Sequence, residues 1–296
     1  MQFLIFAISY PIIWILSLLP MRVLYILSDF LYILFFYLIG YRKKVVLENL
    51  QLAFPTKDIS ELKTIQKDFF KHFTDIFVES IKAFSITKKT LLKRYKFRNP
   101  ELINELYDKG RSIAFMGAHQ ANWEWSISIP LYVKIKCFGA YTRIGNTYFD
   151  KTVKKSRTKF GFIGYKTSET IKSITRNFDE GIQGLYLLLS DQSPQIHKTH
   201  YWREFMGIKV PIHTGAEMIA KKFDMAVVNY SVKKLKRGYF EVTFETITEH
   251  PNNFKDYEIT DKYLAITERN INTQPAYYLW SHKRFKHKNK VPKKWL

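Results

Sequence analysis

The first forty residues are strongly apolar and carry almost no charge. Between Phe3 and Ile39 only Arg22 and Asp29 are charged, and 30 of the 37 positions are apolar or aromatic. Helices that are apolar on nearly every face rarely find enough protein to cover them in a soluble fold. The stretch therefore favours membrane attachment over a pair of buried core helices, and the remaining residues must fold beside a bilayer.

A Leu-Leu-Pro break at positions 18–20 divides this run into two predicted helices. The first, Phe3–Leu19, would be about 26 Å long, which is marginal for a hydrocarbon core about 30 Å thick, and Pro11 would kink it. The second, Met21–Ile39, carries one polar stripe, which suits a helix at the interface or packed on the domain. We therefore predict that residues 1–40 form a membrane anchor, as one span plus an interfacial helix or as a hairpin. The stripe consists of Arg22, Tyr25, Asp29 and Tyr32.

A cleaved signal peptide is the alternative interpretation of this segment, but no basic region precedes the apolar run and no small-x-small cleavage site follows it. Arg42, Lys43 and Lys44 come directly after the run, and such clusters tend to stay in the cytoplasm. We therefore expect residues 41–296 to form a single domain on the cytoplasmic side of the membrane.

The charge balance indicates an anionic partner. The 296 residues include 47 Lys and Arg against 26 Asp and Glu, a formal charge of +21. Aromatic residues make up 17% of the chain, which argues against disorder. A single cysteine, Cys137, excludes an internal disulfide framework and a cysteine-rich zinc site. Two classes remain: a nucleic-acid binder, or a protein that works on an anionic membrane.

Three basic blocks carry much of this charge: Lys82–Arg98, Lys134–Lys159 and His282–Lys294. Each block by itself could be a solvated face. Behind a membrane anchor, attraction to anionic head groups is the better account, at about 1 kcal/mol per basic residue near the surface. We expect membrane lipids and no nucleic acid as partners, with a tethered nucleic-acid binder and a non-catalytic lipid-binding scaffold as the alternatives.

Short apolar runs alternate with helical patterns over most of the chain, which predicts an α/β domain with a largely parallel central sheet flanked by helices. A later strand with alternating polarity should be more exposed. The predicted strands are Ser112–Gly117, Ile135–Tyr141, Leu185–Ser190, Met225–Val232 and Tyr239–Ile247, and the predicted helices are Lys57–Ser85, Ile171–Asp179, Ala216–Phe223, Ile259–Ile271 and Ala276–Lys283.

The segment His119-Gln-Ala-Asn-Trp-Glu124 follows the first of these strands. Catalytic groups in open α/β sheets gather at the carboxyl ends of strands. Asn122 is a plausible N-cap, which places Glu124 in the first helical turn and lets it fold back to the imidazole of His119. Glu124 would then fix the tautomer of His119, whose other nitrogen could accept a proton from a substrate hydroxyl.

By spacing alone this pair is also compatible with a helix-start acid beside a loop histidine. A zinc site is a weaker interpretation, because no second His or Cys lies at helical ligand spacing. His197 and His200 lie in a basic loop with no carboxylate beside them. We therefore predict no metal.

At this motif the sequence resembles the HxxxxD/E lysophospholipid acyltransferase superfamily, and within it the late acyltransferases of lipid A biosynthesis. The similarity continues along most of the chain in the expected order. The segments that carry it are His119–Glu124, Leu47–Pro55, Tyr141–Asp150 followed by Arg157, Ser190–Pro194, Glu204–Gly207 and Gln274–Phe285. One segment departs from the family's usual wording, since His213 stands inside Ile212–Ala216.

The resemblance implies an α/β lysophospholipid acyltransferase-like fold and an enzyme that transfers a fatty acyl group from a thioester to a hydroxyl of a lipid A precursor. Another lysolipid or an aminoacyl lipid is the alternative acceptor. It implies no cofactor, with acyl carrier protein or coenzyme A thioester as co-substrate, and it implies acyl carrier protein and an anionic glycolipid as partners.

Carried over to this sequence, the resemblance makes His119 the general base, Glu124 its orienting partner, and Arg157 and Asp191 further catalytic residues. Asp191 ends a predicted strand and is therefore expected on the same rim as His119. Arg143 competes with Arg157 for the role of holding a phosphate. The predicted substrate-binding residues are Asn122, Arg143 and Gln192.

Overall fold

The computed structural model describes residues 1–295, and its centre is a seven-stranded sheet with a separate two-stranded hairpin. Of the nine strands in residues 1–295, seven form the large sheet and the other two pair only with each other. The strands are β1 Tyr95–Phe97, β2 Ile113–Gly117, β3 Lys136–Tyr141, β4 Ile163–Lys166, β5 Gly184–Leu189, β6 Tyr201–Phe205, β7 Ile208–Ile212, β8 Ala226–Lys236 and β9 Tyr239–Thr248.

The order of the large sheet is β1-β9-β8-β2-β5-β3-β4, and every neighbouring pair is parallel except β8 with β9. Helices cover both faces, as a mainly parallel sheet requires. Strand β2 shows this directly, since Ala114 and Met116 join one apolar cluster while Ile113 and Phe115 join the other. The prediction of a largely parallel α/β sheet is confirmed.

The helices that flank the sheet include all but one of those predicted. A π-helical turn, Leu34–Leu38, extends the helix that begins at Met21, and a 3₁₀ helix covers Trp123–Leu131. The α-helices are α1 Gln2–Leu18, α2 Met21–Ile33, α3 Lys43–Ala53, α4 Ile59–Lys82, α5 Lys88–Arg94, α6 Glu101–Asp108, α7 Thr147–Arg157, α8 Thr170–Asp179, α9 Gly215–Lys222 and α10 Glu258–Thr273.

One predicted helix, Ala276–Lys283, is wrong. The structure has only a 3₁₀ turn at Pro275–Tyr277, after which Tyr278 forms an isolated bridge with Gln120 and the chain continues mostly in turns. The physical reason is a competing set of hydrogen bonds, because the backbone of Tyr277 and Leu279 bonds to the loop after β2 instead of to its own helix.

The two N-terminal helices lie against the domain with one face each. Lys82, at the end of α4, donates to the carbonyls of Ser17 (2.7 Å) and Leu19 (3.0 Å) and so caps the end of α1. On α2, Leu24 and Ser28 are fully buried, and the hydroxyl of Ser28 donates to Asp75 at 2.8 Å.

The outer faces of the same helices remain apolar and exposed. By length and composition, Met21–Leu38 could cross a membrane, and 22% of it is buried in the protein. This is a weak indication of membrane association, and the division into an anchor at residues 1–40 and a domain at residues 41–296 stays a prediction. The exposed apolar residues of this face include Phe3, Leu4, Ile5, Ile8, Ile12, Ile15, Val23, Ile26, Phe30 and Ile33.

Candidate active site

Strand register brings together a histidine and an aspartate that are 72 residues apart in sequence. Parallel strands β2 and β5 pair Gly117 with Leu189, and each strand continues two residues beyond that pair to His119 and to Asp191. Both side chains therefore emerge at the same edge of the sheet. Asp191 Oδ1 lies 2.7 Å from Nδ1 of His119, and Oδ2 accepts the backbone N–H of His119 at 3.1 Å. Glycine is needed at the end of β2, because a Cβ at Gly117 would lie 2.1 Å from the ring of Tyr230.

The two groups shift each other's protonation in opposite directions. Burial lowers the pKa of His119, but the charge of Asp191, its hydrogen bond and the charge of Glu124 raise that pKa by more, so it lies above its usual value. Burial raises the pKa of Asp191, and the charge and hydrogen bonds of His119 lower it by more. The pair therefore consists of an ionised, 1% exposed carboxylate and a basic imidazole that is 18% exposed.

Glu124 does not contact His119, which corrects the expectation that it orients the imidazole. Its carboxylate pairs instead with Arg157 at the end of α7, where Nη2 lies 3.2 and 3.5 Å from the two oxygens. The local cause is the predicted one: Asn122 caps the 3₁₀ helix, its Oδ1 accepting from the amide of Trp125 at 3.0 Å. Glu124 thus lies in the first turn, but its side chain faces the end of α7, and Asp191 takes the Nδ1 position.

A cavity of about 390 Å³ opens beside His119. Its lining has a polar part, which we call the mouth, and an apolar part, which we call the wall. The indole of Trp123 meets the imidazole of His119 edge to face, with ring centroids 5.3 Å apart. The cavity therefore places the imidazole of His119, a possible proton acceptor, beside an apolar space. Residues at the mouth are His119, Glu124, Asp150, Lys154, Arg157 and Thr158, and those of the wall include Ile127, Gly139, Phe162, Gly164, Leu187 and Leu189.

The three predicted substrate-binding residues do not line this cavity. Asn122 is fully buried, and its amide is used by Trp125 and by Glu79, so it has no surface to offer a substrate. This corrects the expectation for Asn122, whose role here is to hold the loop. Arg143 is exposed outside the cavity, and Gln192 is half-buried beside Asp191. Of the two competing arginines, the structure brings Arg157 to the site.

The C-terminal segment Gln274–Phe285 holds the two loops that carry His119 and Asp191. The sequence does not predict this contact. Leu279 N–H donates to the carbonyl of His119 at 3.0 Å, and the carbonyl of Tyr277 accepts from the amide of Ala121 at 2.8 Å. Ala121 has φ +49°, a left-handed conformation that this pairing maintains. On the other loop, the amide of Ser193 donates to Nε2 of His282 at 3.0 Å. In the sequence, the segment Gln274–Phe285 resembles a family signature, but nothing in its pattern indicates that it contacts the His119 loop.

Cys137, the single cysteine, is not a candidate nucleophile. It is fully buried in β3, and burial raises the pKa of its thiol to about 12. A thiol that stays protonated is a poor nucleophile. Cys137 therefore packs in the core and supplies no nucleophile to this cavity.

Comparison with known proteins gives one family. A family model described as bacterial lipid A biosynthesis acyltransferase matches residues 2–287, from α1 to the segment that holds the His119 loop. No curated protein matches the chain. The match spans almost the whole length and includes every residue of the site described above.

Proposed function

The chain belongs to the bacterial lipid A biosynthesis acyltransferase family and is an acyltransferase, and on that premise we propose that it moves a fatty acyl chain from an acyl thioester to a hydroxyl of a lipid A precursor, with His119 as general base. The observation that carries this proposal is the His119–Asp191 pair, joined at 2.7 Å, at the mouth of a largely apolar cavity.

In the proposed reaction, Nε2 of His119 takes the proton of the acceptor hydroxyl while the oxygen attacks the thioester carbonyl. Collapse of the tetrahedral intermediate breaks the carbon–sulfur bond, and the imidazolium returns its proton to the departing thiolate. Asp191 keeps the proton on Nδ1 and stabilises the imidazolium. General base catalysis of this kind typically contributes roughly 10²–10⁴-fold.

Arg157 is proposed to hold a phosphate of the donor or of the acceptor. The Arg157 side chain is 40% exposed at the cavity mouth, and Glu124 contacts only Nη2, so the other guanidinium donors can bind a ligand. The planar fork of arginine matches the geometry of phosphate oxygens. Glu124 then fixes the direction of Arg157 and adds negative charge near His119.

Acyl carrier protein is the proposed donor. The basic block Lys134–Lys159 includes α7, whose Lys154 and Arg157 line the cavity mouth, while Lys151 and Lys155 on the same helix are exposed. An acidic carrier would be steered toward that helix, and its thioester would arrive beside His119. The apolar wall of the cavity would receive the acyl chain.

Membrane association is proposed through the N-terminal helices. Their outer faces expose contiguous isoleucine, leucine and phenylalanine side chains, and Arg42, Lys43 and Lys44 follow directly. An apolar face beside a cluster of cations suits an anionic bilayer. Because such clusters tend to stay in the cytoplasm, we propose that the domain lies on the cytoplasmic face of the inner membrane.

The direct test uses the purified enzyme in detergent with a lipid A precursor and either acyl carrier protein or coenzyme A thioester. Mass spectrometry should show one added acyl chain with the carrier-protein thioester, and His119→Ala should lower the rate by at least about 10²-fold while expression and membrane recovery stay normal. Full activity of His119→Ala would overturn the proposed mechanism.

A further inference from the structure

Glu79 is a buried carboxylate that the proposed reaction does not use. It lies near the end of α4, and its side chain is fully inaccessible to solvent. One oxygen accepts from Nδ2 of Asn122 at 2.6 Å, and the other accepts from the hydroxyl of Tyr25 on α2 at 2.8 Å. The backbone carbonyl of Glu79 also accepts from the indole N–H of Trp125, at 3.2 Å.

The carboxylate lacks the compensation that its neighbour receives. Asp75, one turn earlier on α4, pairs with Arg237 at 2.7 Å and with Lys234 at 3.5 Å. None of the ion pairs formed within residues 1–295 includes Glu79. Burial, together with the charge of Asp75, raises the pKa of Glu79 to about 7, so keeping an acid here is costly, and an apolar residue of similar volume would avoid that cost. Packing alone therefore does not account for a glutamate at this position.

The hydrogen bonds of Glu79 lead to the loop that carries His119. Because Nδ2 of Asn122 donates to Glu79, Oδ1 must face the amide of Trp125, which it caps at 3.0 Å. Asn122 lies between His119 and Glu124 in sequence. The orientation of one amide thus sets where the loop ends and where the 3₁₀ helix begins.

Tyr25 keeps the carboxylate in place from the opposite side. Its ring lies under the guanidinium of Arg237, 4.5 Å from the charge, and its hydroxyl approaches Gly238 so closely that a Cβ there would lie 2.0 Å away. Gly238 has φ +72°, so glycine is required in this turn for conformation as well as for space.

We infer that Glu79 is a positioning residue for acyl transfer: through Asn122 it fixes the loop that places His119 and Glu124 at the cavity, and Tyr25 of α2 fixes Glu79 in turn. The inference depends on the proposed function for its kinetic consequence, because the loop matters to the rate only if His119 is the base.

The first test replaces Glu79 by methionine, which has a similar length but no carboxylate oxygens. Glutamine would not test the inference, because its oxygen can accept from Asn122 while its NH₂ group donates to the Tyr25 hydroxyl, which can accept as well as donate. Methionine removes the acceptor of both Asn122 and Tyr25. We expect Glu79→Met to lower kcat about 10- to 100-fold while the KM for the acyl thioester stays within twofold. The control is Glu61→Met on the exposed start of α4, which should behave as wild type. A Glu79→Met kcat within twofold of wild type would overturn the inference.

The second test asks whether Glu79 acts through Asn122. Serine at position 122 can still cap the helix but is too short to reach Glu79. If the two side chains work as one unit, Glu79→Met should change kcat less than twofold in the Asn122→Ser background. Multiplication of the two single effects would show independent roles and contradict the inference.

The third test does not depend on activity. In the full-length protein, Glu79→Met should increase hydrogen–deuterium exchange in residues 119–127, and Tyr25→Phe should increase it less because the Asn122 bond remains. Unchanged exchange in Glu79→Met would refute the positioning role whether or not the enzyme acylates lipid. A wild-type enzyme that is inactive on every acyl thioester, yet shows this exchange pattern, would instead refute the proposed function alone.

Discussion

His119 is influenced by two carboxylates that act in different ways. Asp191 makes direct contact with Nδ1 and the backbone amide, whereas Glu124 acts on the imidazole through charge and bonds to Arg157. Together they hold the pKa of His119 above 6.5. A general base must be unprotonated, so the proposed reaction should slow as the pH falls through that raised pKa.

Asp191→Asn should separate these two contributions. Without the carboxylate the pKa of His119 loses its main raising influence, so the acid limb of kcat/KM should move to lower pH. The plateau should fall about 10²–10⁴-fold, because asparagine no longer enforces the tautomer with the proton on Nδ1. The measurement is a pH–rate profile, with the exposed Asp256→Asn as control. An acid limb at its wild-type position would contradict this role for Asp191.

Residue placement could be predicted only where local sequence decides it. The cap at Asn122 and the first-turn position of Glu124 follow from spacing, and both are confirmed. The contact between His119 and Asp191 depends on the pairing of β2 with β5, strands far apart in sequence, so local spacing alone could not show it. For this reason the sequence spacing points to Glu124, the nearer carboxylate, as the group that orients His119.

At the scale of elements, β3 and the edge strand β4 leave part of the cavity wall without side chains. Gly139 of β3 pairs in register with Gly164 of β4, and both line the cavity. The ring of Phe162 lies over Gly139, where an added Cβ would come within 2.5 Å of it. In the proposed function this glycine pair makes room for an acyl chain, and Phe162 limits that room.

Phe162→Ala should therefore favour longer acyl chains. Removing the ring enlarges the apolar end of the cavity, and each additional methylene accommodated there is worth about 10- to 200-fold in kcat/KM. We expect the ratio of kcat/KM for a 14-carbon over a 12-carbon thioester to rise at least about tenfold. Ile163→Ala, a change outside the cavity lining in the same strand region, is the control. An unchanged ratio in Phe162→Ala would exclude this wall as the chain site.

Elements with strong periodicity could be predicted, and those defined by tertiary contacts could not. The apolar runs of β2, β3, β5 and β8 are long enough to identify. Strands β1 and β4 span only three and four residues, too few for a pattern. The segment Ala276–Lys283 has helical spacing, but its backbone bonds to the His119 loop override that preference.

For the whole molecule, the exposed apolar face of α1 and α2 is the feature that the proposed function explains best. A soluble protein rarely exposes a contiguous patch of this kind, whereas a membrane would cover it. In the proposed function, the formal charge of +21 would attract the protein to anionic lipid and to an acidic carrier.

Ile12→Asp combined with Ile26→Asp should release the protein from membranes. Both side chains are more than half exposed, at 56% and 69%, so the fold should tolerate the changes. Burying one such side chain in lipid is worth about 1.5–3 kcal/mol, and the double variant should lose at least about tenfold in binding to anionic vesicles. Ile171→Asp on α8, an exposed isoleucine elsewhere, is the control. Equal co-sedimentation of the double variant and wild type would rule out this face.

The sequence allowed the fold class and the family to be predicted, because strand–helix alternation and a motif order that spans the chain are global features. Both predictions are confirmed. The anchor and domain boundary, the donor and the membrane face stay predictions, because they concern partners outside the chain.

Mass spectrometry of lipids from cells with and without the gene tests the central claim most directly. We predict that the deletion strain accumulates lipid A species lacking one acyl chain, and that the wild-type gene restores them while the gene for His119→Ala does not. A lipid A profile unchanged by the deletion, or full restoration by His119→Ala, would contradict the account.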